Sequence, residues 1–155
     1  MAEVKVCGQA TKQATFTLTN LSRKKTIHLP LEIADSEAAR TRGLMFRKKV
    51  VPILFMFPSE SLYPIHSLFV PGKFDAVYLD SEGEVAEKFG AIPPNRLLIS
   101  PKKNARYLLE LPCGMAKKLK IKVGDRMAWE KISGDKKADL EKDGGKVLHK
   151  KIPWR

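Results

Sequence analysis

Cysteine, histidine and acidic residues are what this chain has least of: two Cys, three His and 17 Asp+Glu against 29 Lys+Arg in 155 residues. Cys7 and Cys113 lie far apart and form no C-x-x-C pair, and His28, His66 and His149 share no spacing that would bring them to one ion. A structural or catalytic metal is therefore not expected, and the thiols read as reduced and incidental, with a disulfide as the alternative. No apolar run approaches the roughly 18 to 20 residues needed to span a bilayer. The opening MAEVKVCGQATK also lacks the apolar centre of a signal peptide, so the expected compartment is the cytoplasm. Motifs of known chemistry are missing too. There is no G-x-S-x-G, no His-Glu-x-x-His, no paired carboxylate at strand or helix spacing, and no Gly-rich loop opening a helix after a strand. These absences weigh against a hydrolase or a nucleotide-binding enzyme. No cofactor is expected, and an enzyme of unrecognised type stands only as an alternative.

What is present describes a globular protein, with 43% hydrophobic and 30% charged residues, enough to build one core. The formal net charge is +12, of which residues 131–155 carry +4 (eight Lys/Arg, four Asp/Glu), leaving +8 on residues 1–130. We expect a single β-rich domain over 1–130 and a basic extension over 131–155, mobile after about Ser133 on its GD and DGG composition. Val147, Leu148, Ile152 and Trp154 give docking of that extension as the competing expectation. A positive surface of this kind attracts acidic partners or nucleic acid without identifying either.

Strand patterns dominate. Apolar and polar residues alternate in EVKV, ATFTLTN and KKTIHLPLEIAD, rich in threonine and branched side chains. Asp35 or Ser36 then offers an N-cap oxygen for a short helix over 36–42, and Gly43 is placed to end it at positive φ. Arg40 and Arg42 in its last turn complement the helix dipole. VVPILFMFP, bracketed by Pro52 and Pro58, reads as a strand covered on both faces. AVYLD and EVAEKFG, joined through SEG, predict a β-hairpin over 75–90 that turns at Ser81–Gly83. NARYLLEL gives a further strand, PCGMAKKL a second short helix, and KIKVGDRMAWEKI a tight turn at Gly124 and Asp125 before a last strand at 127–129. The expected class is α+β: a largely antiparallel, curved or barrel-like sheet with two short helices.

The succession EIADSEAARTRGLMFR, ILFMFP, IHSLFVPGKFDAVYLDSEGEV, ARYLLELPCG and LKIKVGDR resembles the domain-of-unknown-function 192 family of prokaryotic proteins over about residues 26–129. Its motifs are the RGLMFR box, the hairpin strand opened by an aspartate, and E-L-P-x-G followed by a V-G-D turn. The resemblance implies a compact β-rich domain with two short helices, and it implies no activity. One segment departs from the family pattern: relatives run from the histidine into the aspartate without the Pro71-Gly72 turn found here.

The candidate site residues are Arg42, Arg47, His66 and Asp75. An arginine presents a planar set of donors suited to carboxylate or phosphate. Arg42 reads as mainly structural, at the helix end. Arg47, past the cap, is expected with His66 to line an anion-favouring recess that Asp75 borders by pairing with one of the cations. The plainer alternatives are an Asp75–Arg47 salt bridge that pins the hairpin, an Asp75 carboxylate holding backbone amides, and a packed His66. Glu110 and Asp125 read as fixing turns and caps. Cys113, near a helix start, is a weak candidate nucleophile. The function expected is thus a non-enzymatic binding module for a small anionic ligand or an acidic protein partner, with nonspecific nucleic-acid binding through the basic surface as the alternative.

Overall fold

In the computed structural model, residues 14–132 are described, so EVKV and the 133–155 extension lie outside the described residues. The strands are β1 (Thr15–Asn20), β2 (Lys25–Pro30), β3 (Glu32–Ala34), β4 (Ile53–Ser61), β5 (Phe74–Leu79), β6 (Val85–Ile92), β7 (Ala105–Pro112) and β8 (Met127–Lys131). Helix α1 (Glu37–Arg42) falls where the capping signals put it, and the second short helix, α2 (Met115–Lys118), lies within PCGMAKKL without a side-chain cap, Pro112 ending β7 instead. The strands form a three-stranded sheet in the order β2-β1-β8 and a five-stranded sheet in the order β3-β4-β7-β5-β6. All pairings are antiparallel except β3 with β4. The two sheets remain separate rather than closing into the barrel that the sequence pattern also allowed.

Period-two alternation decides which residues fill each layer. Phe16 and Leu18 from β1 pack with Leu54, Val77, Leu79, Leu109 and Leu111 from one face of the larger sheet, making the core between the sheets. The opposite face of that sheet carries Ile53, Phe55, Phe57, Ala76, Tyr78 and Leu108, covered by Leu44, Val70 and partly buried Ala39 and Tyr63. Being covered on both faces explains the nearly unbroken apolar runs of β4, β5 and β7. Strand β4 does not stop at Pro58; its pairing with β7 slips between Met56 and Ser61, an irregularity that tolerates a residue without an amide donor.

The hairpin closes as expected. Asp80 Oδ1 accepts from the Glu82 and Glu84 amides at 2.9 Å, and Gly83 turns at φ 76°. A Cβ there would lie 2.9 Å from the Met127 carbonyl oxygen, so glycine is required by close approach as well as by φ. At its far end, the β5–β6 register slips between Phe74 and Ala76, an extra residue on β6 at Gly90–Ala91. That bulge leaves the Ala91 amide off the ladder, and Asp75 accepts it.

Candidate functional site

Helix α1 begins with Ser36, whose hydroxyl accepts the Ala39 amide at 3.2 Å, and ends at Gly43 with φ 43° and ψ −130°. Gly43 lies against Phe55 of β4: a Cβ built on it would sit 3.4 Å from Cζ. The positive φ at Gly43 reverses the chain, Leu44 is buried in the outer core, and the residues beside it border a cavity of about 240 Å³. Phe55, Phe57, Tyr63, Leu108 and Val70 make most of the apolar wall. The Phe57 and Tyr63 rings stack with centroids 3.7 Å apart. Arg40, Arg42, His66 and Glu110 are the basic and acidic groups in the lining.

Glu110 is the residue that the turn-and-cap reading missed. It stands in the middle of β7, paired across to Ile53 on one side and Ala76 on the other, so its side chain belongs to the cavity face. It is 5% exposed, and its Oε2 is buried without a hydrogen-bond partner. Burial penalises the ionised form and pushes the carboxyl up to about 8, against a smaller opposing pull from the Arg47 guanidinium. At neutral pH Glu110 is therefore mainly a neutral acid with a proton to donate. Burial also raises the Tyr78 phenol, helped by the Glu110 and Glu87 charges; its hydroxyl donates to the Tyr63 carbonyl at 2.9 Å. The sequence signal was a lone carboxylate within the buried run YLLEL, where every neighbour is apolar.

Arg42 and His66 both line this cavity, and both are exposed at its outer side. His66 Nδ1 accepts the Leu68 amide at 3.2 Å, which assigns the proton of the neutral ring to Nε2. Arg40 is already engaged, donating from Nη1 to the Asp35 and Met56 carbonyls at 2.7 and 3.0 Å. Arg47 lies outside the lining: it forms a bidentate pair with Glu32 (2.8 and 2.7 Å) and donates from Nε to the Gly43 carbonyl at 2.7 Å. The pairing with Asp75 foreseen from sequence is not formed. Asp75 is 3% exposed and accepts from the amides of Ala91, Gly114 and Ala116 at 2.9, 2.9 and 3.1 Å. It ties β5 to the β6 bulge and to the start of α2, the amide-holding alternative. The structure thus brings Arg42 and His66 together with Glu110, places Arg47 behind Glu110, and commits Asp75 elsewhere.

Asp125 does fix a turn. Burial opposes its charge, but hydrogen bonds from Asn20, Arg23 and the Lys122 amide outweigh this and hold the carboxyl below its ordinary range. Cys113 is a free, exposed thiol, and among the described residues no group of three His, Cys, Asp or Glu could hold a metal ion. Among the same residues no helix is long and apolar enough to cross a membrane.

Residues 18–129 match a family model described as uncharacterized ACR. The chain is similar to a UPF0127 protein of Pyrococcus furiosus, with 32% identity over 74% of this chain and 99% of the relative. A UPF0127 protein of Pyrococcus abyssi is 37% identical over 64% of this chain and 85% of its own length. Among solved structures, a provisionally named transcription regulator from Sinorhizobium meliloti 1021 superposes with a TM-score of 0.66 at 25% identity, covering 75% of this chain and 92% of that one. A protein of unknown function from Novosphingobium aromaticivorans shares the fold at a TM-score of 0.65 and 21% identity, over 74% and 84% of the two chains.

Proposed function

This chain belongs to the domain-of-unknown-function 192 family, and from that premise we propose that it is a binding module for a small organic anion with an apolar or aromatic body. The observation that carries this reading is the Glu110 Oε2, buried in a cavity wall with no partner. A buried polar atom without a hydrogen bond costs about 1 to 3 kcal/mol, a debt that a bound ligand can relieve. The remaining groups select the ligand's charge. Neutral Glu110 donates a proton, His66 offers Nε2–H, and Arg42 brings a guanidinium with no acid other than the protonated Glu110 in the lining. All three are donors, and a carboxylate accepts from all three. Arg47 keeps a second positive charge behind Glu110, and Asp75 holds the sheet edge and α2 in place.

Size limits the ligand further. About 240 Å³ corresponds to roughly eight water-sized groups at ~30 Å³ each, the scale of a benzoate-sized acid.

Thermal shift and calorimetry at pH 6.5 with benzoate, a medium-chain fatty acid, benzamide and benzylamine test the proposal. Benzoate or the fatty acid should bind in preference to benzamide and benzylamine, and Arg42→Ala should weaken binding by roughly fivefold to tenfold, the worth of one partly exposed charged hydrogen bond. Tighter binding of the amine would reverse the assigned ligand charge, and no response to any of the four would remove the ligand site.

A further inference from the structure

Three loops outside the sheets, 43–52, 62–73 and 93–104, contain no Asp or Glu at all. They are sewn together by their own backbones. The Phe46 amide donates to the Phe69 carbonyl at 3.0 Å, and a Cβ on Gly72 would lie 3.7 Å from Val50. The Ser67 amide donates to the Arg96 carbonyl at 2.8 Å, the Asn95 amide to the Ser67 carbonyl at 2.7 Å, and Ile65 bridges Ile99. Each loop turns through one left-handed non-glycine residue: Phe46 (φ 56°), Phe69 (φ 56°) and Asn95 (φ 63°). For an aromatic residue that conformation is uncommon and unfavourable.

The turns present apolar side chains to water. Phe46 is 76% exposed and Phe69 59%, their rings stacked with centroids 4.8 Å apart. From the third loop Leu97 and Leu98 are 77% and 65% exposed. Exposed cations flank them: Lys48 and Lys49, Lys73, and Arg96. Single exposed apolar residues need no explanation, but five large ones on joined loops, counting Leu62, with cations and no acid, do.

We propose that this three-loop surface docks on an anionic lipid bilayer, the phenylalanine pair and the two leucines entering the headgroup boundary while the lysines and Arg96 meet lipid phosphates. The backbone groups that join these loops are paired with one another, and the side chains left at the surface are apolar and cationic. That pair of groups is what an anionic interface accepts. Loops 43–52 and 62–73 also border the cavity, but the test does not involve a cavity ligand.

The 155-residue chain is floated with vesicles of phosphatidylcholine alone and of phosphatidylcholine with about 30% phosphatidylglycerol, where partitioning should rise by roughly tenfold or more with the anionic lipid. Phe46→Ser/Phe69→Ser leaves the charge unchanged and should lower partitioning by roughly tenfold, since it removes two apolar anchors. Should that variant fail to fold by circular dichroism, Leu97→Ser/Leu98→Ser makes the same test. Undiminished binding by a folded variant would assign the attraction to charge elsewhere in the chain and overturn the proposal. Absence of wild-type binding to anionic vesicles would overturn it as well, and is the outcome expected if an acidic protein covers this face.

Discussion

Replacing Glu110 with glutamine should change how stability depends on pH more than it changes stability at any one acidic pH. In the folded chain the carboxyl titrates at about 8, against 4.5 for an exposed glutamate. The folded state therefore keeps a proton that the unfolded state releases between those two values. With more protons bound in the native state, unfolding free energy falls as pH rises through this window and levels off above about 8. At ~1.4 kcal/mol per pH unit the full penalty at alkaline pH is on the order of 3 to 5 kcal/mol. That is a large fraction of the roughly 5 to 15 kcal/mol that holds a domain of this kind together. Asp125, held below its ordinary range, has the opposite sign: its contribution is lost only as pH falls below about 3.8, outside the window. Glu110→Gln is close in shape and cannot ionise. Urea denaturation at intervals from pH 5 to pH 9 should show the wild type losing stability steadily and the variant staying nearly level, so the variant is the more stable protein at pH 9. A second arm uses Arg47→Met, which removes the cation favouring the ionised form and should carry the wild-type decline to higher pH. Parallel profiles for wild type and Glu110→Gln would refute the burial of an ionisable acid on which the ligand site rests.

Gly43→Val should destabilise by more than about 1 kcal/mol, because valine is forced to positive φ; an unchanged urea midpoint would show that the cap is misread. Asp75→Asn should cost on the order of 2 to 4 kcal/mol by turning an amide NH₂ toward backbone N–H groups, a loss readable in the same denaturation experiment at pH 7.

Local chemistry in the sequence was enough to place the elements, and long-range pairing was what it could not supply. Ser36 and Gly43 mark α1 because capping depends on residues a few positions apart, and Asp80 with Gly83 marks the hairpin turn for the same reason. Strand alternation likewise exposed the two apolar faces. Whether the sheets close into a barrel depends instead on which edges pair, and no local pattern encodes that β3 joins β4 in parallel. The site was legible in the same uneven way. His66 was a candidate from its place in an apolar segment, and Arg42, read as mainly structural at the helix end, lines the cavity with it, whereas Arg47 does not. Arg47, in the loop after α1, met Glu32 of β3, 15 positions away, and Asp75 met amides 39 and 41 positions away.

Those distant pairings explain why an arginine outside the cavity still bears on it. The register places Glu32, Ile53, Glu110 and Ala76 in one row across β3, β4, β7 and β5. Arg47 is anchored at the Glu32 end of that row by two hydrogen bonds, and one apolar residue, Ile53, separates this ion pair from the buried acid. Its guanidinium is thus fixed in position and partly neutralised, able to moderate the Glu110 carboxyl without bonding to it. An arginine in direct contact would hold Glu110 ionised and occupied, and the cavity would then present a satisfied salt bridge. Shifting Arg47 one strand away leaves the acid protonated near neutral pH with Oε2 unpartnered. The sheet register, more than any single motif, is what keeps that donor available.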